Sequence, residues 1–235
     1  MNSIPLISVI LVTHNAEKCL QACLDSIFRQ TYPCIELIIM DGASTDATVS
    51  ILEANTEKIT FWRSEEDQGI YDAMNKALEY VRGEWVYFIG ADDELTHEFS
   101  SMAHELVDSR TIYYGSVWKD GRKYLGKLSS YHHAKTGINH QAILYPASIF
   151  QQYRYDPMYP ISADHILNMW CWKDTDYRFE FRDYVIATFN HTGISSLKKD
   201  IRFEKRKAQF ILENYGVVIW LRFLFKKLKA SLFML

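Results

Sequence analysis

The fold is decided by a stretch that reads IELIIMDGASTD, residues 35–46. Its first part, Ile35–Asp41, is a nearly continuous apolar run, as expected for a strand buried on both faces of a parallel sheet. A polar loop follows at once, and Ser44 and Thr45 can cap a helix that runs to about Ala54. A buried strand that leads through a polar loop into a helix is the repeating unit of an α/β fold.

The same unit recurs on both sides of this stretch. Further strands are predicted at Ile7–Thr13, Ile59–Ser64 and Trp85–Gly90. Apolar residues at helical spacing predict helices within 20–28, 70–81 and 96–107, the last with Val107 on its inward face. We therefore expect an α/β fold with a mostly parallel, Rossmann-like central sheet flanked by helices. Such sheets bind ligands beyond the carboxyl ends of their strands.

The second half of the chain is less regular. Lys119-Asp120-Gly121 separates two strand-like segments, 111–118 and 122–126, and predicts a hairpin. Later patterns predict a strand at 141–145, a helix at 163–173 and a strand at 179–189. We expect one globular domain over residues 1–200 and a helical tail over residues 201–235.

The composition fits a compact domain. The chain has 235 residues, of which 48% are hydrophobic and 23% charged, so it can bury a large core. Its net charge of −3 argues against a broad nucleic-acid-binding surface. The four cysteines, Cys19, Cys23, Cys34 and Cys171, match no zinc-binding spacing, and we expect free thiols as in a cytoplasmic protein. The apolar run Ile7–Val12 is too short for a signal peptide, and no stretch reaches the ~20 apolar residues of a membrane span.

The tail has a composition of its own. Val217–Leu235 carries four cations and no acidic residue, and most of its other residues are apolar or aromatic. Such an amphipathic segment is typical of a helix that lies in a membrane interface. The alternative is a last helix that packs on the domain and keeps its lysines solvated.

Two acidic positions could carry chemistry. Asp92 and Asp93 follow a predicted strand, and adjacent carboxylates are costly unless a cation such as a divalent metal balances them. Asp164 opens a predicted helix and could act as a general base. The structural alternatives are an acidic turn for the first and a helix cap for the second.

Other polar positions suggest ligand contacts. Asp41 could accept hydrogen bonds from a base or ribose, and Gly42 permits a close backbone approach. Ser44 and Asp46 could instead cap the following helix. The acidic residues within 64–76 interact favourably with the dipole of the helix that begins there. This structural role does not explain why Asn75 lies on the same helix. His140 and Gln141 could belong to a polar loop only.

Taken together, these segments resemble family 2 glycosyltransferases with the GT-A fold. The matching segments, in order and spacing, are 8–15, 26–32, 36–46, 67–76 and 91–93. His140-Gln141, Ala163-Asp164-His165 and Gly193-Ile194-Ser195 extend the likeness to about residue 196. The run Gly69–Lys76 is similar to enzymes that build bacterial capsule or exopolysaccharide, of the colanic-acid type.

The resemblance implies an inverting transferase. It would move a hexosyl or N-acetylhexosaminyl group from a nucleotide-diphosphate sugar to a hydroxyl of a saccharide, which we expect to be linked to polyprenyl diphosphate. A nucleotide-sugar-binding half would span about 1–110 and an acceptor-binding half about 111–200. We expect a cytoplasmic protein, peripheral on the inner face of the bacterial cytoplasmic membrane, and leave its oligomeric state open.

The resemblance also assigns roles to residues. The donor would be bound by Thr13, Asn15, Asp41, Ser44, Asp67, Tyr71, Asn75 and Asp92. Asp93, together with Asp92, fills the motif for Mg²⁺ or Mn²⁺, and Asp164 matches the general base. The acceptor or diphosphate region would include His140, Gln141, His165 and His191. We further expect a saccharide surface of aromatic residues in or beside the cleft and in the second half, namely Tyr71, Trp118, Tyr124, Tyr131, Tyr153, Tyr155 and Tyr159.

One departure and several rivals need weighing. Ala91 stands where many family members carry an acid. Neither a nucleotide-sugar pyrophosphorylase nor a dinucleotide oxidoreductase fits, since the loop Thr13–Lys18 lacks the glycines that each requires. The alternative that we retain is a catalytically degenerate GT-A subunit or glycan-binding partner.

Overall fold

The computed structural model describes residues 4–190 and 199–232. Its strands are β1 (Ile7–Thr13), β2 (Ile35–Asp41), β3 (Phe61–Ser64), β4 (Trp85–Gly90), β5 (Glu94–Leu95), β6 (Thr111–Lys119), β7 (Arg122–Tyr124), β8 (Ile143–Pro146) and β9 (Arg178–Phe189). Its α-helices are α1 (Leu20–Phe28), α2 (Thr48–Ala54), α3 (Ile70–Ala77), α4 (Glu98–Ala103), α5 (Ser130–Thr136), α6 (Ile149–Gln152), α7 (Ala163–Lys173) and α8 (Ile201–Leu232). Short 3₁₀ turns occupy Thr56–Lys58, Leu78–Tyr80 and His140–Ala142.

The strands of the described chain form one sheet in the order β3-β2-β1-β4-β8-β6-β9-β5, with β7 paired to β6. The first half is parallel, because β1 pairs with β2 and β4, and β2 pairs with β3. In the second half β6 and β9 are parallel, whereas β8 is antiparallel to both of its neighbours. The predicted α/β fold with a helix-flanked sheet is confirmed. The sheet is more mixed than the strand–helix repeat of the first half suggests, because β8 enters between two earlier strands.

Several boundaries differ from the sequence pattern. Helix α2 begins at Thr48 rather than near Ser44, because the Ser44 hydroxyl bonds Asp41 instead of capping the helix. Helix α4 ends at Ala103, so Val107 is 83% exposed and its predicted inward position is wrong. The strand predicted from residue 141 begins at Ile143, after a 3₁₀ turn.

The core accounts for much of the aromatic content. Tyr87, Phe88, Tyr113 and Tyr145 are fully buried between the sheet and its helices. Tyr131, Tyr155 and Tyr159 are 3%, 2% and 1% exposed, so the saccharide surface predicted at these three tyrosines is wrong. All four cysteines are free, as expected.

A buried carboxylate ties the amino ends of the first strands together. Glu36 is 3% exposed and accepts hydrogen bonds from the Ser8 hydroxyl at 2.5 Å and from the backbone and side chain of Arg82, both at 2.8 Å. Burial raises the pKa of Glu36, but the hydrogen bonds from Ser8 and Arg82 outweigh this effect and hold the pKa below its usual value.

Helix α8 combines a packed face with an exposed apolar face. It breaks at Gly216, where φ is 77° and ψ is 175°. The first half buries Phe203, Phe210 and Ile211 against the domain, where α8 packs on α5 and α7. The second half exposes five apolar side chains, Val217, Val218, Leu221, Phe225 and Leu228. No helix in the described chain is long and apolar enough to cross a membrane.

Candidate functional site

A cleft of about 750 Å³ opens beyond the carboxyl ends of β1 and β4, within the size range of small-molecule sites. Ten of the predicted site residues line it: Thr13, Asn15, Asp67, Tyr71, Asp92, Asp93, His140, Gln141, Asp164 and His165. The chain brings them together because parallel strands end at one edge of the sheet, where the amino end of α7 also lies.

Three other predicted site residues, Asp41, Ser44 and Asn75, are not among the described residues that line the cleft. They support its wall from behind. Asp41 is 1% exposed and accepts hydrogen bonds from the Ser44 backbone at 2.9 Å and the Ser64 hydroxyl at 2.6 Å. Asn75 bonds the backbone of Tyr155 in both directions, at 2.8 and 3.1 Å. Direct donor contacts by Asp41, Ser44 and Asn75 remain predictions, and His191 lies outside the described residues.

The loop after β1 is shaped by Asn15. This residue has a φ of 49°, and its side-chain oxygen accepts from the Thr45 backbone at 2.9 Å, which joins the loops that follow β1 and β2. The neighbouring Thr13 hydroxyl is buried and has no hydrogen-bond partner among the described residues. An unpaired buried hydroxyl at the cleft wall is suited to a polar ligand atom.

Gly42 allows a close approach by the side chain of Asp67, whereas an approach by a ligand remains a prediction. A Cβ atom there would lie 2.6 Å from an Asp67 carboxylate oxygen. The other Asp67 oxygen accepts from the Gly69 backbone at 2.7 Å, which fixes this acid at the start of α3. A side chain at position 42 would therefore displace Asp67 from the cleft wall.

Asp93 is the most perturbed acid of the cleft. It is 1% exposed and accepts hydrogen bonds from the Gln141 amide at 2.7 Å and the Asn190 backbone at 3.0 Å. Burial, and then the neighbouring Asp92 carboxylate, raise the pKa of Asp93 to about 6. Asn190 was missed in the sequence, although it stands next to His191 at the end of a predicted strand.

The Asp92–Asp93 pair fits a divalent cation. The described residues contain no group of three or more His, Cys, Asp or Glu side chains placed to hold a metal. Two carboxylates are nonetheless a common protein contribution to a Mg²⁺ site, where substrate phosphates and waters complete the shell. The raised pKa of Asp93 reflects first its burial and then the neighbouring Asp92 carboxylate, and a bound cation would offset the cost of both.

Asp164 and His140 form a second pair in the cleft. Asp164 lies in the first turn of α7. One of its oxygens lies 3.5 Å from Nδ1 of His140, within ion-pair range but too far for a good hydrogen bond. Neither ring nitrogen of the buried His140 has a hydrogen-bond partner in the described chain. The pair therefore has free hydrogen-bonding capacity at the cleft.

Tyr71 and His165 are buried at the cleft wall. The Tyr71 hydroxyl donates to the Ile161 carbonyl at 3.1 Å, and burial followed by Asp164 raises the pKa of Tyr71 well above its usual value. His165 points Nε2 at the carbonyls of His133 and Ala134 in α5, at 3.3 and 3.2 Å. Burial lowers the pKa of His165 to about 4, so the neutral ring joins α7 to α5. Contact of His165 with an acceptor remains a prediction.

Sequence comparisons identify relatives over most of the chain. Residues 8–169 match the family described as Glycosyl transferase family 2. A PGL/p-HBAD biosynthesis glycosyltransferase of Mycobacterium bovis (strain BCG / Pasteur 1173P2) is 33% identical over 222 residues, which cover 86% of this chain and 84% of that protein. TuaG of Bacillus subtilis (strain 168), whose name assigns it to teichuronic acid biosynthesis, is 40% identical over 93 residues, covering 38% of this chain and 37% of TuaG.

Solved structures share the fold at low sequence identity. Residues 1–349 of Staphylococcus aureus TarS in complex with UDP-GlcNAc superpose with a TM-score of 0.71 at 19% identity, over 89% of this chain and 67% of that one. The mannosyltransferase PcManGT of Pyrobaculum calidifontis, in complex with GDP-Man and Mn²⁺, gives a TM-score of 0.65 at 18% identity, over 90% of this chain and 63% of that one. The GT-A fold predicted from the sequence is thereby confirmed.

Proposed function

The chain belongs to glycosyl transferase family 2, and we propose that it transfers one sugar from a nucleotide-diphosphate sugar to an acceptor hydroxyl with inversion. The observation that carries this proposal is the shared cleft of Asp164 and the Asp92–Asp93 pair. Inversion in one displacement needs a single base and a site that holds the leaving diphosphate. Asp164 supplies the first, and the carboxylate pair with its cation supplies the second.

The donor class is supported by the complexes of the structural neighbours. TarS binds UDP-GlcNAc and PcManGT binds GDP-Man, which are both nucleotide-diphosphate sugars. In this chain we propose that Thr13, Asn15 and Asp67 contact the nucleoside, while Asp41 and Ser44 hold the loop around it. The sugar itself is proposed only as a hexosyl or N-acetylhexosaminyl group.

The metal role falls to Asp93 and Asp92. We propose that they hold Mg²⁺ or Mn²⁺, which would neutralise negative charge on the departing diphosphate. The Mn²⁺ of PcManGT supports this choice of ion. Gln141 and the Asn190 backbone keep the Asp93 carboxylate in one orientation through their hydrogen bonds.

The base role falls to Asp164. Its carboxylate would take the proton of the acceptor hydroxyl as the hydroxyl oxygen attacks the anomeric carbon. His140 lies beside it, and its ring nitrogens can bond the acceptor or the diphosphate. The presence of both carboxylate sites in one cleft favours an active enzyme over a degenerate GT-A subunit.

The test is a panel of UDP-glucose, UDP-GlcNAc and GDP-mannose, assayed for Mn²⁺-dependent binding and slow hydrolysis. We expect Asp164→Asn to keep donor binding and to lose about 10²- to 10⁴-fold in turnover. The control is Asp176→Asn, which changes an exposed acid beyond the far end of α7. Turnover by Asp164→Asn at the wild-type rate would remove the base assignment, and binding without any turnover by the wild type would favour the degenerate subunit.

We propose further that the acceptor is a saccharide linked to polyprenyl diphosphate, in bacterial capsule or exopolysaccharide synthesis at the inner face of the cytoplasmic membrane. The polymer-related name of TuaG supports this assignment. The five exposed apolar side chains of the second half of α8, from Val217 to Leu228, fall within an arc of about 100° at helical spacing. Arg222, Lys226 and Lys229 follow on one flank of this arc, as expected of a helix on an anionic membrane.

The position of α8 suits a lipid-linked acceptor. Arg222 and Lys226 lie over the ring of Tyr131 in α5, at 4.3 and 5.4 Å from its centroid. Helix α5 spans about 10 Å and ends at Thr136, which lines the cleft. A saccharide could therefore reach Asp164 while its lipid stays in the bilayer.

Vesicle co-sedimentation tests this placement. The double variant Leu221→Gln/Phe225→Gln should lose at least about tenfold in affinity for vesicles that contain phosphatidylglycerol. Leu212→Gln is the control, because Leu212 is 41% exposed on the first half of α8. Unchanged sedimentation of the double variant would contradict membrane binding, and loss of a dimer in light scattering would reassign the face to a second copy.

A further inference from the structure

We infer that Lys119 binds the diphosphate of the donor and stabilises the nucleotide diphosphate as it leaves. This inference rests on the proposed function and assigns a role to a residue that the family motifs do not include. Lys119 is the one lysine or arginine among the described residues that line the cleft.

The sheet places Lys119 beside the carboxylate pair. Lys119 is the last residue of β6, and its register partner in β9 is Phe189. Neighbouring strands lie about 4.8 Å apart. Asn190, the residue that follows β9, donates its backbone N–H to the Asp93 carboxylate and its side-chain amide to the Asp92 backbone carbonyl. The Lys119 backbone is thus one strand and one residue away from Asn190, which bonds the Asp93 carboxylate directly.

Two aromatic rings hold the side chain at this end of the sheet. The ammonium lies 4.8 Å from the ring centroid of Tyr124 and 5.3 Å from that of Phe189. A tight turn joins β6 to β7, with φ values of 52° at Asp120 and 69° at Gly121, and so brings Tyr124 next to β6. Ring faces attract a cation without accepting its N–H groups as carboxylates do, so the ammonium keeps donors for a phosphate.

The charge of the cleft calls for such a cation. Four carboxylates line it, those of Asp67, Asp92, Asp93 and Asp164. A donor adds a diphosphate to this negative surface. One divalent ion offsets part of the charge, and a lysine at the rim of the same strand ends offsets more.

The lysine acts on the leaving group without changing the proton balance. The bond between the anomeric carbon and the β-phosphate oxygen breaks, and its electron pair passes to that oxygen. The acceptor oxygen forms the new bond to carbon, and its proton passes to Asp164. The ammonium of Lys119 stays protonated and stabilises the charge that the diphosphate gains.

Calorimetry with nucleotides separates this role from others. The first step is to find which of UDP, GDP and dTDP binds the wild type with the highest affinity. That diphosphate, its monophosphate and its nucleoside are then titrated into the protein, once in the presence of Mn²⁺ and once in EDTA. We expect Lys119→Met to lower the affinity for the diphosphate at least about tenfold and the affinity for the monophosphate by less. The affinity for the nucleoside should not change. Lys119→Arg should restore most of the affinity.

The matched control is Lys123→Met. Lys123 lies on the same hairpin but pairs with Asp183 outside the cleft, so its loss should leave all three affinities unchanged. If Lys119→Met and the wild type bound the diphosphate with equal affinity, the inference would be overturned. It would also be overturned if the variant lost as much affinity for the nucleoside as for the diphosphate. Failure of the wild type to bind any of the three diphosphates would instead refute the proposed function, and this inference with it.

Discussion

Two buried carboxylates lie at opposite ends of the parallel strands, and their pKa values shift in opposite directions. Glu36, at the amino ends, is surrounded by donors from Ser8 and Arg82, which stabilise its charge. Asp93, at the carboxyl ends, keeps a pKa of about 6 because burial and Asp92 oppose its charge. Ionised Glu36 therefore stabilises the fold. Ionised Asp93 lowers the stability of the fold but provides a carboxylate for the proposed ligand site.

Glu36→Gln should lower the free energy of unfolding by about 1–3 kcal/mol at pH 7.5, since buried donors lose a charged acceptor. A lowered folded-state pKa gives stability that is present above the unfolded pKa and is lost as pH falls through the folded one. The difference from wild type should thus shrink under acidic conditions. Urea unfolding at pH 7.5 and pH 4 measures it, with exposed Glu57→Gln as control. An equal cost at both pH values would contradict the charge-based explanation.

Asp93→Asn should have the opposite effect on the protein in EDTA. A raised folded-state pKa means that stability is greatest below the unfolded pKa and falls as pH rises through about 6. The variant does not lose this stability, because its amide carries no charge. The Gln141 amide must then turn its oxygen towards the new Asn to accept a hydrogen bond. We expect a gain of about 1–3 kcal/mol at pH 7.5 and little gain at pH 4. A variant less stable than wild type at pH 7.5 would refute the expectation.

The individual site residues were predictable only where a local pattern marks them. Asp92, Asp93 and Asp164 stand at the end of an apolar strand or the start of an apolar helix, and the sequence suffices to find them. Asn190 and Lys119 depend on the pairing of β6 with β9, which shifts register between Tyr114 and Val117. No local pattern encodes that shift, so these two residues could be found only in the folded chain.

At the scale of elements, the break in α8 decides where its apolar face points. Gly216 has a φ and ψ that only glycine adopts readily, although a Cβ there would meet no atom within 4 Å apart from those of its chain neighbours and the adjoining helix backbone. Gly216→Ala should therefore cost about 1–3 kcal/mol through backbone strain alone. Urea unfolding measures the loss. Gly126→Ala is the control, because it also meets open space but carries no positive φ. Equal stability of the two variants would show that the break is not strained.

The regular elements were predictable in proportion to their burial. The bounds of β1, β2 and β4 were predicted to the residue, because each is an apolar run. Helices α5 and α6 were not predicted. They have seven and four residues, too few for a helical pattern, and α5 is held by the Ser129 cap and by contacts to α8.

At the scale of the whole molecule, the two expected halves share one sheet. Strand β8 of the second half pairs with β4 of the first, and β5 pairs with β9. The division near residue 110 remains a prediction about ligand binding, but it does not separate two independent cores. The strand–helix repeat revealed the fold class, whereas the insertion of β8 between β4 and β6 depends on contacts far apart in sequence.

A shared sheet predicts one cooperative unfolding transition. Far-ultraviolet and near-ultraviolet circular dichroism of the full chain should give the same urea midpoint. A fragment of residues 1–110 should fail to fold, because β4 loses β8, one of its two partners, and β5 loses β9. A cooperative transition of that fragment would show that the first half is an independent domain.

The late pairing of β4 also has a consequence for synthesis. Trp85 and Tyr87 of β4 pair with Pro146 and Leu144 of β8. The ribosome must therefore add about 60 residues after β4 before the edge of β4 is covered. At about 5–20 residues per second, translation of this interval lasts about 3–12 seconds. Throughout it, a buried-type strand presents an open edge to other nascent chains. We therefore expect the yield of soluble protein to depend on how quickly the ribosome passes from β4 to β8.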